Sequence, residues 1–260
     1  MMAKSAALRR GDTDVALPGV ESGLHPTSVI ATELDANSHR TIALAAVWDM
    51  LLAGRQRIAL AFSSEDRHFL VLRAGQPDAP CLRESKRRLL VFERSLLCAA
   101  QKTVALECGT SASAVSMLVK QALEQLGLSC RPSKVPVIVS ALAHAAHGLT
   151  TLTHGRWCDA SGVLDSSSVL SIPRPDGALC SVLSPAEHGA VRLLLDGNTR
   201  EAVARARGAA ARTVANQLRS AFRKLGVSGR TELIQKLLRW PCDLDARSRA
   251  RKLPVEHDTP

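Results

Sequence analysis

Apolar residues along the chain change their spacing several times, and each change marks the edge of a predicted element. Residues 41–52 are almost continuously apolar and end before Gly54, a residue type that commonly closes a helix in the left-handed conformation. Two short apolar runs follow at 57–62 and 68–73, separated by the polar residues 63–67. This pattern predicts a short helix and then a β-hairpin.

Helical spacing takes over in the middle of the chain. It runs from about Ser85 to about Glu124, and a further apolar stretch occupies residues 135–146. The two ends differ, because residues 1–38 and 241–260 mix Gly, Pro, Ser and charges without a period. We therefore predict a mainly α fold between two flexible tails.

The chain resembles itself when it is shifted by 99 residues. A weaker echo of Gly54-Arg55 in Gly155-Arg156, and of Cys81 in Cys180, extends the repeat to the preceding helix and hairpin. The shift predicts two helix-turn-helix units, and chance alignment of two Ala-rich helical segments is the alternative. The main matches are Val104-Ala105 with Val203-Ala204, Gly109 with Gly208, Val115 with Val214, Ala122 with Ala221, Leu126-Gly127 with Leu225-Gly226, Ser129 with Ser228, and Arg131 with Arg230.

Composition favours a soluble, helix-rich protein with a polyanionic partner. Lys and Arg number 34 against 24 Asp and Glu, and this net charge of +10 favours nucleic acid. The seven cysteines occur singly and without zinc-site spacing, so we expect reduced, mostly buried thiols. The sequence shows no signal peptide or membrane anchor, which predicts a cytoplasmic location.

Motifs for catalysis are not recognisable in the sequence. It contains no G-x-S-x-G, Walker or G-x-G-x-x-G motif, and Asp176 lies in irregular sequence without an evident partner acid or base. His144 and His147 are one helical turn apart, but they lack Cys or carboxylate neighbours and are interpreted as core or surface residues. We expect no enzymatic activity, no cofactor and no metal.

The segment from Leu183 to Trp240 carries an ordered set of motif residues and resembles the LuxR/GerE family of four-helix DNA-binding domains, over about a fifth of the chain. This resemblance implies a transcriptional regulator that binds double-stranded DNA, usually as a homodimer on paired half-sites. The residues that carry it are Leu183-Ser184-Pro185, Glu187, Gly197, Thr199, Val203-Ala204, Gly208, Thr213-Val214, Leu218, Phe222, Lys224-Leu225-Gly226-Val227 and Arg230.

Within this segment, residues 210–225 would form the recognition helix. Asn216 and Arg219 are the candidates for base reading, because Asn pairs bidentately with adenine and Arg with guanine in the major groove. The segment has 11 basic and 4 acidic residues, so much of the chain's positive charge is concentrated there. The candidates for phosphate or supporting contacts are Arg200, Arg212, Thr213, Gln217, Ser220, Arg223, Lys224 and Arg230.

Several residues depart from the family pattern, and they leave room for altered DNA reading. Ala210 replaces the usual capping Ser, Ala202 replaces a Glu, and Arg207 replaces a core Leu. Ala215 and Gln217 stand where a basic residue and a His are common. The rival hypothesis is an interaction adaptor, in which an eroded helix-turn-helix binds a protein such as RNA polymerase.

The middle copy is more divergent. Ser111 can cap its second helix, but the outer face carries Ser113, Ser116, Met117 and Lys120, which favours packing or dimerisation over DNA contact. The duplication leaves open a homodimer or an internal two-fold arrangement. The predicted division is a tail (1–38), a helix and hairpin (39–80), a divergent helix-turn-helix domain (81–146), a linker or hairpin (147–180), a LuxR-type domain (181–240) and a tail (241–260).

Overall fold

A computed structural model describes residues 39–76, 81–97, 100–160 and 167–239. The predicted tails, 1–38 and 241–260, lie outside these residues. The strands are β1 (Arg40–Ala43), β2 (Gln56–Ser63), β3 (Arg67–Ala74), β4 (His154–Asp159) and β5 (Ser167–Pro173). The helices are α1 (Leu44–Leu52), α2 (Lys86–Leu96), α3 (Gln101–Glu107), α4 (Ala112–Leu126), α5 (Val137–Ala146), α6 (Pro185–Leu195), α7 (Arg200–Arg207), α8 (Ala211–Leu225) and α9 (Arg230–Arg239).

The strands form one antiparallel sheet in the order β1-β4-β5-β3-β2. The predicted hairpin is confirmed as β2 and β3, and residues 147–180 contain a second hairpin, β4 and β5. The two hairpins join through β3 and β5, where Leu70 lies opposite Leu170 and Val71 opposite Val169. A mainly α fold is therefore correct only in part, because the fold also contains a five-stranded antiparallel sheet.

The start of the first predicted helix is wrong. Thr41, Ile42 and Ala43 are in β1, and the helix begins at Leu44. These residues pair with β4, where Ile42 lies opposite Gly155. The β-branched side chains of Thr41 and Ile42 suit a strand, and the partner strand that stabilises it lies more than a hundred residues away.

One face of the sheet and most of the helices share the main apolar core. Leu70 and Leu72 of β3 and Leu170 and Ile172 of β5 are fully or almost fully buried in this core. Helix α1 packs against α5, β1 and β2. The helices and this face of the sheet are therefore parts of a single packed body.

Helices α2 to α4 have the same spacing as helices α6 to α8. Adding 99 to the first and last residues of α2 and α4 gives the bounds of α6 and α8, and α3 differs from α7 by one residue at its end. Each long helix stops at a glycine with positive φ, Gly127 after α4 and Gly226 after α8. Ser111 caps α4, as predicted, by accepting a hydrogen bond from the backbone N–H of Ala114.

Helix α5 confirms the apolar stretch predicted at 135–146, and its His144 is a buried core residue whose Nδ1 lies 2.7 Å from the carbonyl oxygen of Ser140. The expectation of mostly buried cysteines fails, because Cys158 is the one buried cysteine among the described residues and Cys180 is exposed.

Across the described ranges, no helix is long and apolar enough to cross a membrane.

Candidate nucleic-acid interface

Helix α8 has one buried and one exposed face. Val214, Leu218, Ala221 and Leu225 are buried and pack α8 against α6 and α7. This is the apolar stripe that the three- and four-residue spacing predicts. Residues on the opposite side of the helix are therefore the ones available to DNA.

Arg212, Asn216, Arg219 and Arg223 form this opposite side, which we call the α8 stripe. All four are exposed, and within the described part of the chain none of their side chains has a hydrogen-bond or ion-pair partner. The stripe holds three guanidinium groups and one amide, with no acidic residue among them. Both predicted base-reading residues thus lie in line with two of the predicted phosphate contacts.

Arg200 and Thr213, two further predicted phosphate contacts, are exposed in the first turns of α7 and α8. Backbone N–H groups at helix N-termini favour anions. Thr199 caps α7, with its Oγ1 3.2 Å from the Ala202 backbone nitrogen. Ala210 gives α8 no side-chain cap, so the first turn of α8 has no side-chain acceptor from this position.

Lys224 and Ser220 are engaged inside the domain. The Lys224 Nζ lies 2.7 Å from Oε2 of Glu187, and this carboxylate also accepts a hydrogen bond from the Ser184 backbone N–H at 2.8 Å. Hydrogen bonds from Lys224, Ser184 and Ser220 lower the pKa of Glu187 to about 2. Lys224 and Ser220 therefore anchor α8 to the start of α6.

Arg230, another predicted phosphate contact, is an internal clamp. Its guanidinium donates to the carbonyls of Leu194 and Leu195 at 3.0 and 2.9 Å, which lie at the end of α6. It also donates to the carbonyls of Ser133 and Val135 at 3.2 and 2.8 Å, which lie between α4 and α5. Arg131 lies 99 residues before Arg230 and is its counterpart in the repeat. An arginine that recurs at the same place in both units indicates a structural role, and this was the one sign of that role in the sequence.

Gln217 and Arg207 also point inward. Gln217 is half-buried, and its Oε1 is buried with no hydrogen-bond partner in the described residues. Arg207, which replaces a core Leu, donates to the carbonyl of Ala186. Its Nη1 would lie only 2.8 Å from a Cβ added to Gly189, so the glycine makes room for the arginine.

A buried charge cluster holds the domain against the sheet. Arg174, with 4 % of its side chain exposed, pairs with Asp176 at 3.1 Å and with Asp196 at 2.9 Å. It also donates to the carbonyl of Ser64 in the β2–β3 turn at 3.2 Å. Burial alone would raise the pKa of Asp176, but the charge and hydrogen bonds of Arg174 hold it below its usual value. Asp176 thus has the partner that the sequence did not reveal.

Helix α4 presents a different outer face. Ser113, Met117, Lys120 and Glu124 stand 99 residues before the members of the α8 stripe, and we call them the α4 stripe. Lys120 and Glu124 pair at 3.7 Å, and Met117 is 54 % exposed. Leu106, at the end of α3, is 85 % exposed. The α4 stripe is therefore electrically neutral and partly apolar.

Comparison with known proteins agrees with the geometry of the C-terminal helices. The family described as bacterial regulatory proteins, luxR family, has a model that matches residues 181–237, about a fifth of the chain. No curated protein and no solved structure matches the chain. Helices α6 to α9 therefore form a LuxR-family helix-turn-helix domain.

Proposed function

We propose that the protein is a sequence-specific, DNA-binding transcriptional regulator that reads its operator with α8. The observation that carries this proposal is the α8 stripe, four exposed side chains with no partner among the described residues, on a domain that matches a family of bacterial regulatory proteins. Such a partner would place the protein in the cytoplasm, with the nucleoid.

The length of the stripe allows its central residues to contact bases and its outer residues to contact phosphates. Arg212 and Arg223 are 11 residues apart, about 16 Å along an α-helix, whereas the major groove is about 12 Å wide. The two central residues, Asn216 and Arg219, would then contact base edges, while the outer arginines reach phosphates on either side. Arg200 and Thr213 would add backbone contacts at the helix N-termini.

Selection from random-sequence DNA pools across a salt series tests this proposal. The full chain is compared with Asn216→Ala and Arg219→Ala, and Arg87→Ala, at an exposed residue of α2, is the matched control. We expect one enriched motif for the full chain and the control, with relaxed specificity in the two α8 variants. Unchanged selection in the α8 variants would contradict the assignment.

For the middle unit we propose a second, divergent helix-turn-helix that contacts protein instead of DNA. The support is the shared spacing of helices and the neutral, partly apolar α4 stripe. We infer that the contact is with a second copy of the chain. An antiparallel pair of α4 helices can place Lys120 of one copy opposite Glu124 of the other.

Sedimentation of the full chain tests this dimer. Met117→Glu places a charge in the α4 stripe, and Thr103→Glu, at an exposed residue of α3, is the matched control. We expect the first variant to become monomeric and to bind paired half-sites no more tightly than single ones, whereas the control stays dimeric and prefers paired half-sites. A monomeric parent chain would refute the dimer and favour an internal two-fold arrangement.

A second candidate function is an adaptor that binds a protein such as RNA polymerase. Two observations favour it, the missing side-chain cap at Ala210 and the exposed Met117 and Leu106. The salt series separates the two functions, because phosphate contacts lose affinity steeply with added salt and apolar contacts change little.

A further inference from the structure

The sheet has a second apolar face that no described helix covers. Alternation along the strands turns Phe69 and Val71 of β3, Val169 of β5 and Cys158 of β4 away from the main core. These side chains form a cluster of their own, and all of its members lie in β2 to β5 or at Ala160, directly after β4. We call this cluster the open face.

The open face is nevertheless buried. Val169 is 0 % exposed, Val71 2 %, Phe69 3 % and Cys158 7 %. Ser167 and Ser171, on the same side of β5 as Val169, are also buried. A sheet face left to water exposes its apolar side chains, so this burial calls for a covering segment. The described helices do not supply it.

We propose that the N-terminal segment, residues 1–38, covers the open face in the same chain. It is the one long stretch outside the described ranges that leads directly into the sheet, because it ends beside β1, and Arg40 of β1 lies opposite Trp157, next to Cys158. The stretch at 161–166 has only six residues, and the C-terminal stretch follows α9, which packs against α5 on the opposite side of the sheet.

Length and chemistry support this occupant. Crossing from β4 to β2 takes about 15 Å, because neighbouring strands lie about 4.8 Å apart, and this distance needs roughly five extended residues. The segment carries the apolar residues Val29, Ile30 and Leu34, which precede β1 in the sequence by only a few residues. It holds five acidic and three basic residues in a chain of net charge +10. Its negative charge complements Arg73 and Arg156, exposed arginines on the same side of the sheet as the open face.

The chain contains its own reporter, because Cys158 lies on the open face. Maleimide labelling of Cys158, resolved by peptide mass spectrometry, is compared in the full chain, in a variant lacking residues 1–38 and in a matched control lacking residues 241–260. We expect the N-terminal deletion to raise the labelling rate of Cys158 at least tenfold and the C-terminal deletion to leave it unchanged. Equal protection in the full chain and the N-terminal deletion, or loss of protection only in the C-terminal deletion, would overturn the proposal.

A second reporter separates uncovering from unfolding. Ala141→Cys places a thiol in the main core, where Ala141 is 0 % exposed, and this thiol should stay protected in all three chains. If it also becomes reactive, the deletion has unfolded the protein, and a peptide of residues 1–38 is then added. Restored protection of both thiols supports the cover, and continued labelling of Cys158 refutes it. The inference does not depend on DNA binding.

Discussion

The Nζ of Lys224 lies 2.7 Å from Oε2 of Glu187, which joins the last turn of α8 to the first turn of α6. The same carboxylate closes a capping box with Ser184 at the start of α6. The orientation of α8 thus depends on an acid 37 residues before its partner lysine, and the α8 stripe is held outward as a consequence.

Glu187→Gln should destabilise the protein by about 1 kcal/mol at neutral pH, through loss of the ion pair and of the charged cap. The folded-state pKa of Glu187 is about 2, below its ordinary value near 4.5, so its contribution is present above pH 4.5 and is lost as the pH falls toward 2. Urea unfolding between pH 7 and pH 3 measures this difference. Glu107→Gln, at an exposed ion pair, is the control and should change stability by less than about 0.5 kcal/mol.

Arg230→Met should cost about 3 kcal/mol of stability, because four carbonyls lose a charged donor. Since Arg230 is engaged internally, the salt dependence of DNA binding should not change. Arg223→Ala, in the α8 stripe, should leave the stability near that of the parent. It should reduce the slope of log DNA affinity against log salt concentration by about 1. A reduced salt slope in Arg230→Met would restore this residue as a phosphate contact.

His68 should make the protein sensitive to mild acid. Burial, and then the charge of Arg174, lowers the pKa of His68 to about 3, whereas an unfolded chain has a value near 6.5. The unfolded state therefore binds more protons between these values, and stability falls as the pH drops from 6.5 toward 3, by up to about 1.4 kcal/mol per pH unit.

The variant His68→Gln should reduce this slope, and exposed His154→Gln should not. Thermal melts between pH 7 and pH 5 measure the effect. His144, whose pKa is also lowered by burial, contributes to the slope that remains. An unchanged slope in His68→Gln would mean that this ring does not titrate as its burial requires.

Gly127→Ala should be among the most damaging single substitutions in the middle unit. Its backbone has φ +95°, and an added Cβ would lie 2.2 Å from the carbonyl oxygen of Ile58 in β2. Gly109→Ala is the matched control, with φ +57° and no atom within 4 Å of the added Cβ. Denaturant unfolding should give a loss of about 1 kcal/mol for the control and more than about 3 kcal/mol for Gly127→Ala. Equal losses would contradict the close approach of α4 to β2.

Local patterns predicted the helices and the first hairpin well, because the information is within a few residues of each element. The capping Ser111 and Thr199 and the buried stripe of Val214 and Leu218 are examples. The pairing of β3 with β5 was not predicted, because local sequence patterns do not specify which strands are neighbours in a sheet. Leu70 meets Leu170 across a hundred residues of chain.

In the candidate site, too, the residues that follow from local spacing were predictable and the long-range contacts were not. The α8 stripe follows from helical periodicity, and all of its residues were among the predicted DNA contacts. Arg230, Lys224 and Ser220 could not be assigned from periodicity, because their partners lie on α6 and in the segment between α4 and α5. A basic side chain in such a segment can contact DNA or can bind other parts of the same protein, and only the three-dimensional contacts distinguish these two roles.

The pairing of β3 with β5 also sets an order of events during synthesis. The ribosome delivers β2 and β3 long before β5, so the first hairpin must wait with one edge of β3 unpaired until about residue 173 has emerged. An unpaired edge next to an apolar face is a site of association between nascent chains. Strand β5, which is made at the end of the middle third of the polypeptide, therefore protects the first hairpin from such association when it pairs with β3.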